Sequence, residues 1–177
     1  MAITDKAITD TQKPAGGNRV QKITPYLWFD DQAEEAMKFY VSIFDNSRAV
    51  SVTRDEVGVG GPKGRVMAVQ FQLEGQDFLA LNGGPQFKFT EAISLFVNCE
   101  TQGEVDRLWA KLTSGGGEES MCGWLKDKYG LSWQIIPRAL GEMLSDRNPE
   151  KAKRAMEAML KMKKIEIDGL KRAYDGR

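Results

Sequence analysis

The sequence contains no histidine in 177 residues. Ser-His-Asp and Cys-His catalysis both move protons through an imidazole, so neither is available. Zinc and iron sites built on imidazole are excluded as well. Cysteine is almost as scarce. Cys99 and Cys122 are the two present, too few for a structural zinc site or a disulfide framework. They point to a reducing, cytoplasmic setting. Long apolar runs are missing, so no membrane-spanning helix is expected, and the N-terminus has no apolar stretch of secretory type. Neither sign of charge is in excess, with Lys+Arg and Asp+Glu both at 25. A nucleic-acid partner held by phosphate contacts would need a basic surface, and none is predicted. EF-hand and P-loop spacings are absent, as is a glycine-rich strand–turn–helix fingerprint for a nucleotide-like cofactor. The glycines of GVGGPKG follow a strand and precede another, which reads as a hairpin loop.

What is present reads as an ordinary globular domain, with 41% hydrophobic and 28% charged residues. Residues 1–20 are polar, with Pro and Gly, and are expected to be a disordered tail. In KITPYLWFDD, Ile23 to Phe29 suits a strand, and Asp30 or Asp31 is placed to cap the helix AEEAMKFYVSIF. Ala33, Ala36, Met37, Tyr40, Val41 and Phe44 recur at helical spacing and predict one buried stripe. SRAVSVTRDE, RVMAVQFQLEG and DFLALNGG then read as three strands. In the second of them Met67, Val69, Phe71 and Leu73 alternate with Ala68, Gln70 and Gln72. The order is β-α-β-β-β.

The second half repeats that order. AISLFVNCE predicts a strand, and TQGEVDRLWAKLTSGG a helix with Val105, Leu108, Trp109 and Leu112 on one face. A short strand near Glu118 to Met121 follows, then GWLKDKY and LSWQIIP around a glycine turn, stopped by Pro137. The repetition is one of pattern rather than identity and suggests an internal duplication. The fold class is therefore α+β: a first βαβββ module over residues 21–84, a second over 85–137 and a helical C-terminal extension over 138–177. In the extension Asn148 is the expected helix cap with Pro149 in first position. Met156, Met159, Leu160, Ile165, Ile167 and Leu170 supply its apolar face, which either packs on the sheet or serves a subunit contact.

At this point ITPYLWFDDQAEEAMKFYVSIF, LNGGPQFKFTEAISLFVNC, EVDRLWAKL, CGWLKDKYGLSWQIIP and AMEAMLKMKKIEIDGLKRA, taken in order, carry a resemblance. The chain resembles the vicinal oxygen chelate superfamily of glyoxalase I, bleomycin-resistance proteins and extradiol dioxygenases. It is most similar to the PhnB-like group described as 3-demethylubiquinone-9 3-methyltransferase. The resemblance implies two cupped sheets, usually in a homodimer. It also implies four inward metal ligands, which fall near Thr24 or Tyr26, near Ala80 or Asn82, near Ala92 or Ser94, and on Gln134. These positions offer only neutral groups, whereas a divalent cation needs charge nearby. No metal and no cofactor is therefore expected, and the methyltransferase description finds no cofactor motif.

The strand faces nominate a ligand site of Tyr26, Trp28, Gln70, Phe78, Asn82, Ser94, Trp124 and Gln134. Aromatic rings with a few amides suit a flat, partly polar small molecule. The leading expectation is metal-independent binding of an aromatic or amphipathic ligand. The alternative is an enzyme of unrecognised chemistry, lyase-, isomerase- or transferase-like, working through Glu91, Asp127, Tyr26 or Cys122. For Asp127 a turn role competes with that of a base, and for Trp124 and Trp133 a core role competes with stacking on a ligand.

Overall fold

The computed structural model describes residues 21–59 and 61–177. The disordered tail expected over residues 1–20 lies outside the described residues. The first unit comprises β1 (Tyr26–Phe29), α1 (Ala33–Val41), β2 (Ser47–Arg54), β3 (Val66–Leu73) and β4 (Gln76–Asn82). The second comprises β5 (Ser94–Cys99), α2 (Gln102–Thr113), β6 (Glu118–Glu119), β7 (Trp124–Lys126) and β8 (Ser132–Pro137). Three helices follow: α3 (Arg138–Leu144), α4 (Pro149–Met159) and α5 (Ile167–Asp175).

Each unit makes a four-stranded sheet of the same plan, β1-β4-β3-β2 and β5-β8-β7-β6. In both, the first strand lies parallel to the last and the other pairs are antiparallel. The parallel pair follows from the helix, which carries the chain back across the sheet before the remaining strands are laid down.

The helix ends have different origins. Thr101 caps α2, accepting from the Glu104 amide at 3.2 Å, while the Glu104 carboxylate accepts from the Glu100 amide at 2.8 Å. Asn148 caps α4 as expected, accepting from the amides of Glu150 and Lys151 at 3.0 and 3.3 Å. Neither Asp30 nor Asp31 caps α1. Gln32 holds that position without a side-chain bond, and the Ala33 amide is satisfied from β4, by Asn82 Oδ1 at 2.8 Å. A distant side chain has taken over a local duty.

The two sheets share one core through their helix-side faces. Leu27, Phe29, Val69, Phe71 and Phe78 from the first unit join Leu125, Trp133 and Ile135 from the second. Tyr40 of α1 packs on Trp133 at 5.4 Å, and Phe44 stacks on the same ring at 5.4 Å and 23°. Burying each such side chain contributes about 1.5–3 kcal/mol. The opposite faces of both sheets therefore turn outward and away from each other.

Helices α3–α5 form a second, smaller core of Leu140, Ile165 and Leu170, with Ile136, Met143, Met159 and Met162 against it. The segment before α5 docks by backbone: Cys122 N–H donates to Met162 O and Gly123 N–H to Lys163 O, both at 2.7 Å. The Gln102 side chain adds an acceptor for the Ile167 amide at 2.8 Å. Gly123 has φ +83°, and a Cβ there would press on Ile136 and on the Ile135 carbonyl, so glycine is required. Of the expected apolar face, Ile165, Ile167 and Leu170 are buried, whereas Met156 and Leu160 are exposed.

Candidate ligand-binding site

Strand register sorts the nominated residues by face. On the outward face of the first sheet, one row runs Trp28, Leu81, Ala68 and Thr53 across β1, β4, β3 and β2. The next runs Tyr26, Leu79, Gln70 and Ser51. On the outward face of the second sheet, Phe96, Gln134 and Trp124 form a row across β5, β8 and β7. Beside it Ser94, Ser132, Lys126 and Glu118 form a row across all four strands. Tyr26, Trp28 and Gln70 are thus together on one sheet, and Ser94, Trp124 and Gln134 on the other. Because the sheets meet through their helix sides, these two triplets face apart within one chain.

Phe78 and Asn82 belong to neither outward face, and their grouping with the site is corrected. Phe78 stacks on Phe71 under α1 at 5.4 Å and 11°. Asn82 is buried, its Oδ1 on the Ala33 amide and its Nδ2 donating to Val66 O at 3.1 Å. Alternation places Phe78, Ala80 and Asn82 together correctly, but Leu79 and Leu81 carry the outward side. Trp133, the competing stacking candidate, is core.

The outward faces carry apolar and aromatic surface. Tyr26 is 55% exposed and Phe96 53%. Phe96 and Lys126 were not nominated from sequence. The period-2 signal through SLFVNC and WLK could have found both, since they share a face with Ser94 and Trp124 respectively. Trp28 is fixed at its sheet's rim. Its Nε1 donates to Gly84 O at 2.9 Å, and Phe87 meets its ring edge-on at 4.9 Å. A pocket of about 290 Å³ opens there beside Phe87, Phe89 and Tyr129. A larger cleft of about 760 Å³ lies between the units at the free edge of β5, bordered by Pro25, Phe44, Phe96, Asn98 and Arg107. It lies off the outward floors, meeting that of the second sheet along its β5 rim at Ser94, Phe96 and Asn98.

The titratable candidates sort as clearly. Asp127 is buried and accepts four hydrogen bonds, from Tyr40 Oη, Trp133 Nε1 and the amides of Tyr129 and Leu131. Burial pushes its carboxyl above the usual range, against the four donors that lower it. The same burial, with the neighbouring carboxylate, holds the Tyr40 phenol well above its ordinary value. Glu91 pairs with Lys126 on the surface, and the lysine hydrogen bond lowers its carboxyl. Cys99 is buried and its thiol is pushed up to about 12, chiefly by desolvation. Cys122 is half-buried with φ +59°, next to the docked C-terminal segment.

Of the chelating positions that the resemblance implies, Tyr26, Ser94 and Gln134 lie on the outward faces, Thr24 and Ala92 lie outside the strands, and Ala80 and Asn82 are buried on the helix side. Two of these side chains bond each other: Gln134 Nε2 donates to Ser94 Oγ at 2.9 Å. Among the described residues no group of three or more Cys, Asp or Glu is placed to hold a metal ion. Neutral amide, hydroxyl and aromatic groups do not fit a chelated divalent cation.

The fold defines a protein of vicinal oxygen chelate type with two four-stranded sheets, each of βαβββ order. The family model described as 3-demethylubiquinone-9 3-methyltransferase matches residues 21–136, and the chain belongs to this family, the PhnB-like group of the superfamily. A PhnB protein from Bacillus cereus, described by the same methyltransferase name, is 42% identical over 66% of this chain and 99% of that one, with a TM-score of 0.61. Protein PA1353 from Pseudomonas aeruginosa shares the fold at 20% identity, covering 64% of this chain and 95% of that one, with a TM-score of 0.53. The fosfomycin resistance protein FosX from Listeria monocytogenes is 14% identical over 65% of this chain and 90% of that one, with a TM-score of 0.45. The comparison with curated proteins gave no match. The family match ends at residue 136, ahead of α3–α5.

Proposed function

We propose that the protein binds a small aromatic or amphipathic molecule without a metal ion, in a cup completed by two copies of the chain. The observation that carries this is the Gln134–Ser94 hydrogen bond. Two side chains at chelating positions bond each other, and Phe96 and Trp124 flank Gln134 in its row. Aromatic surface beside a few fixed amides suits stacking on a flat ligand with one or two polar groups. A homodimer pairing the first sheet of one copy with the second sheet of the other would bring Tyr26, Trp28 and Gln70 opposite Ser94, Trp124 and Gln134. It would also cover the exposed Tyr26 and Phe96.

The methyltransferase description of the family is not adopted. GVGGPKG sits in the β2–β3 connection, with a strand rather than a helix after it. Asp127 is engaged in the core and Glu91 with a surface lysine, so neither supports the enzyme reading. No helix is long and apolar enough to cross a membrane among the described residues. With two free thiols, a cytoplasmic setting fits.

The test is titration of chelator-treated full-length protein with 2-naphthol, following the indole N–H resonances of ¹⁵N-tryptophan-labelled protein. Saturable shifts of Trp124 and Trp28, unaffected by added Mn²⁺, are expected. Shifts that appear only with Mn²⁺, or binding that leaves both resonances unmoved, would contradict the proposal. Sedimentation of the same sample checks the homodimer.

A further inference from the structure

One outward row contains an unexplained buried group. Ser132 is 1% exposed, and its hydroxyl has no hydrogen-bond partner among the described residues. Buried hydroxyls are nearly always paired, and leaving one unpaired costs free energy, so an orphan needs a reason. Ser132 lines a pocket of about 160 Å³ together with Trp124, Lys126, Glu91 and Glu118. That volume is below the range of whole-ligand sites and suits a single functional group of a ligand.

Register fixes the arrangement. Ser132 lies directly across from Lys126 on β7, and Lys126 directly across from Glu118 on β6, all on the outward face. Trp124 is two residues along β7 from Lys126, on the same face and in the row of Gln134 and Phe96.

Electrostatics decides the sign of what this pocket takes. Lys126 is engaged by Glu91, and Glu118 also acts on it, so two carboxylates face one ammonium. Glu119 also borders the pocket, but it shares the helix-side face with Leu125; Trp109 Nε1 donates to its carboxylate at 2.8 Å and Lys163 lies 3.8 Å away, so the excess at the pocket is that of Glu91 and Glu118 over Lys126. An anionic group would have to displace Glu91 from Lys126 and then sit beside Glu118. A cationic group meets an excess of carboxylate, a hydroxyl oxygen free to accept, and a half-buried indole ring that attracts cations.

We propose that Ser132, Glu118 and Trp124 form a subsite for the protonated amine of a ligand whose aromatic body lies along Trp124, Gln134 and Phe96. The ligand class is thus an aromatic primary amine rather than an acid. This rests on the cup-binding reading and names its ligand more closely.

The experiment uses three probes with one aromatic body: phenethylamine, phenethyl alcohol and 3-phenylpropionate. Each is titrated into ¹⁵N-tryptophan-labelled full-length protein, with the Trp124 indole resonance assigned through Trp124→Phe. The amine is expected to bind about tenfold more tightly than the acid. Ser132→Ala and Glu118→Gln should each weaken the amine about three- to tenfold and leave the alcohol unchanged. The melting temperature of Ser132→Ala should not fall, because the deleted hydroxyl has no partner. Equal binding of all three probes, tighter binding of the acid, or an amine preference untouched by both variants overturns the subsite while the cup reading stands. No shift of Trp124 with any probe overturns both.

Discussion

Truncating Asp127 to alanine is expected to destabilise the protein by about 3–5 kcal/mol, because it leaves several buried neutral donors without their acceptor. The carboxylate is 2% exposed. Its Oδ2 accepts from Tyr40 Oη at 2.8 Å and Trp133 Nε1 at 2.9 Å, and its Oδ1 from the amides of Tyr129 at 2.9 Å and Leu131 at 3.1 Å. Tyr40 lies in α1 and Trp133 in β8, so this one group ties the two units together through their shared core. Alanine strands four donors. Each costs roughly 1–3 kcal/mol if left unpaired, and water entering at the turn relieves part of the sum. Against a typical domain stability of about 5–15 kcal/mol, the loss is large. Asp127→Asn keeps the turn bonds but sets its amide N–H₂ against the Trp133 N–H, so a loss of about 1–3 kcal/mol is expected. Tyr40→Phe should cost about 1 kcal/mol, and its double-mutant cycle with Asp127→Asn should show coupling. The assay is urea unfolding of the full chain, followed by tryptophan fluorescence. A pH series adds a sign. Burial raises the folded-state pKa of Asp127 above its unfolded value, so folding takes up a proton in the window between them. Stability from this group should fall as pH rises from the ordinary carboxylate value through the raised one, and Asp127→Asn should lack that slope. An Asp127→Ala protein within about 1 kcal/mol of the parent would refute the linkage between the units.

Three further outcomes follow from particular contacts. A Cβ at Gly83 would overlap the Trp28 ring, so Gly83→Ala should displace that indole, break its bond to Gly84 O and cost about 1–3 kcal/mol, read by thermal melting and the Trp28 resonance. Gln134→Glu restores one carboxylate at a chelating position, but with Ser94 and aromatic or aliphatic groups at the others it should not confer stoichiometric metal binding in elemental analysis. Native protein should show no reaction of Cys99 with a thiol reagent, because the group is buried with its pKa pushed up to about 12, and unfolding in urea should expose it.

Element types and order were legible because they depend on local periodicity. The stripe Ala33, Ala36, Met37 and Tyr40 is buried as read, and Val69, Phe71 and Leu73 alternate as read. Alternation also grouped Phe78, Ala80 and Asn82 correctly. What it could not supply was the face: a period of two says which residues go together, not which side meets the helix. The α1 cap failed for a related reason. Asp30 and Asp31 have the right chemistry, but Asn82, 49 residues away along the chain, takes the amide. Asp127 reads locally as a turn residue, and it is one, but its bond to Tyr40 spans 87 residues and leaves no local pattern. The back-to-back packing of the units, which separates Tyr26 and Trp28 from Trp124 and Gln134 within one chain, is equally a matter of long-range contacts.

The central claim is that the chelating positions have been given over to metal-free binding. Elemental analysis of purified full-length protein, followed by melting with added Mn²⁺, Mg²⁺ and Zn²⁺, tests it most directly. The account predicts well below one metal per chain and no change in melting temperature with any of the three. One equivalent of metal per chain, with a clear rise in melting temperature that Gln134→Ala abolishes, would contradict it.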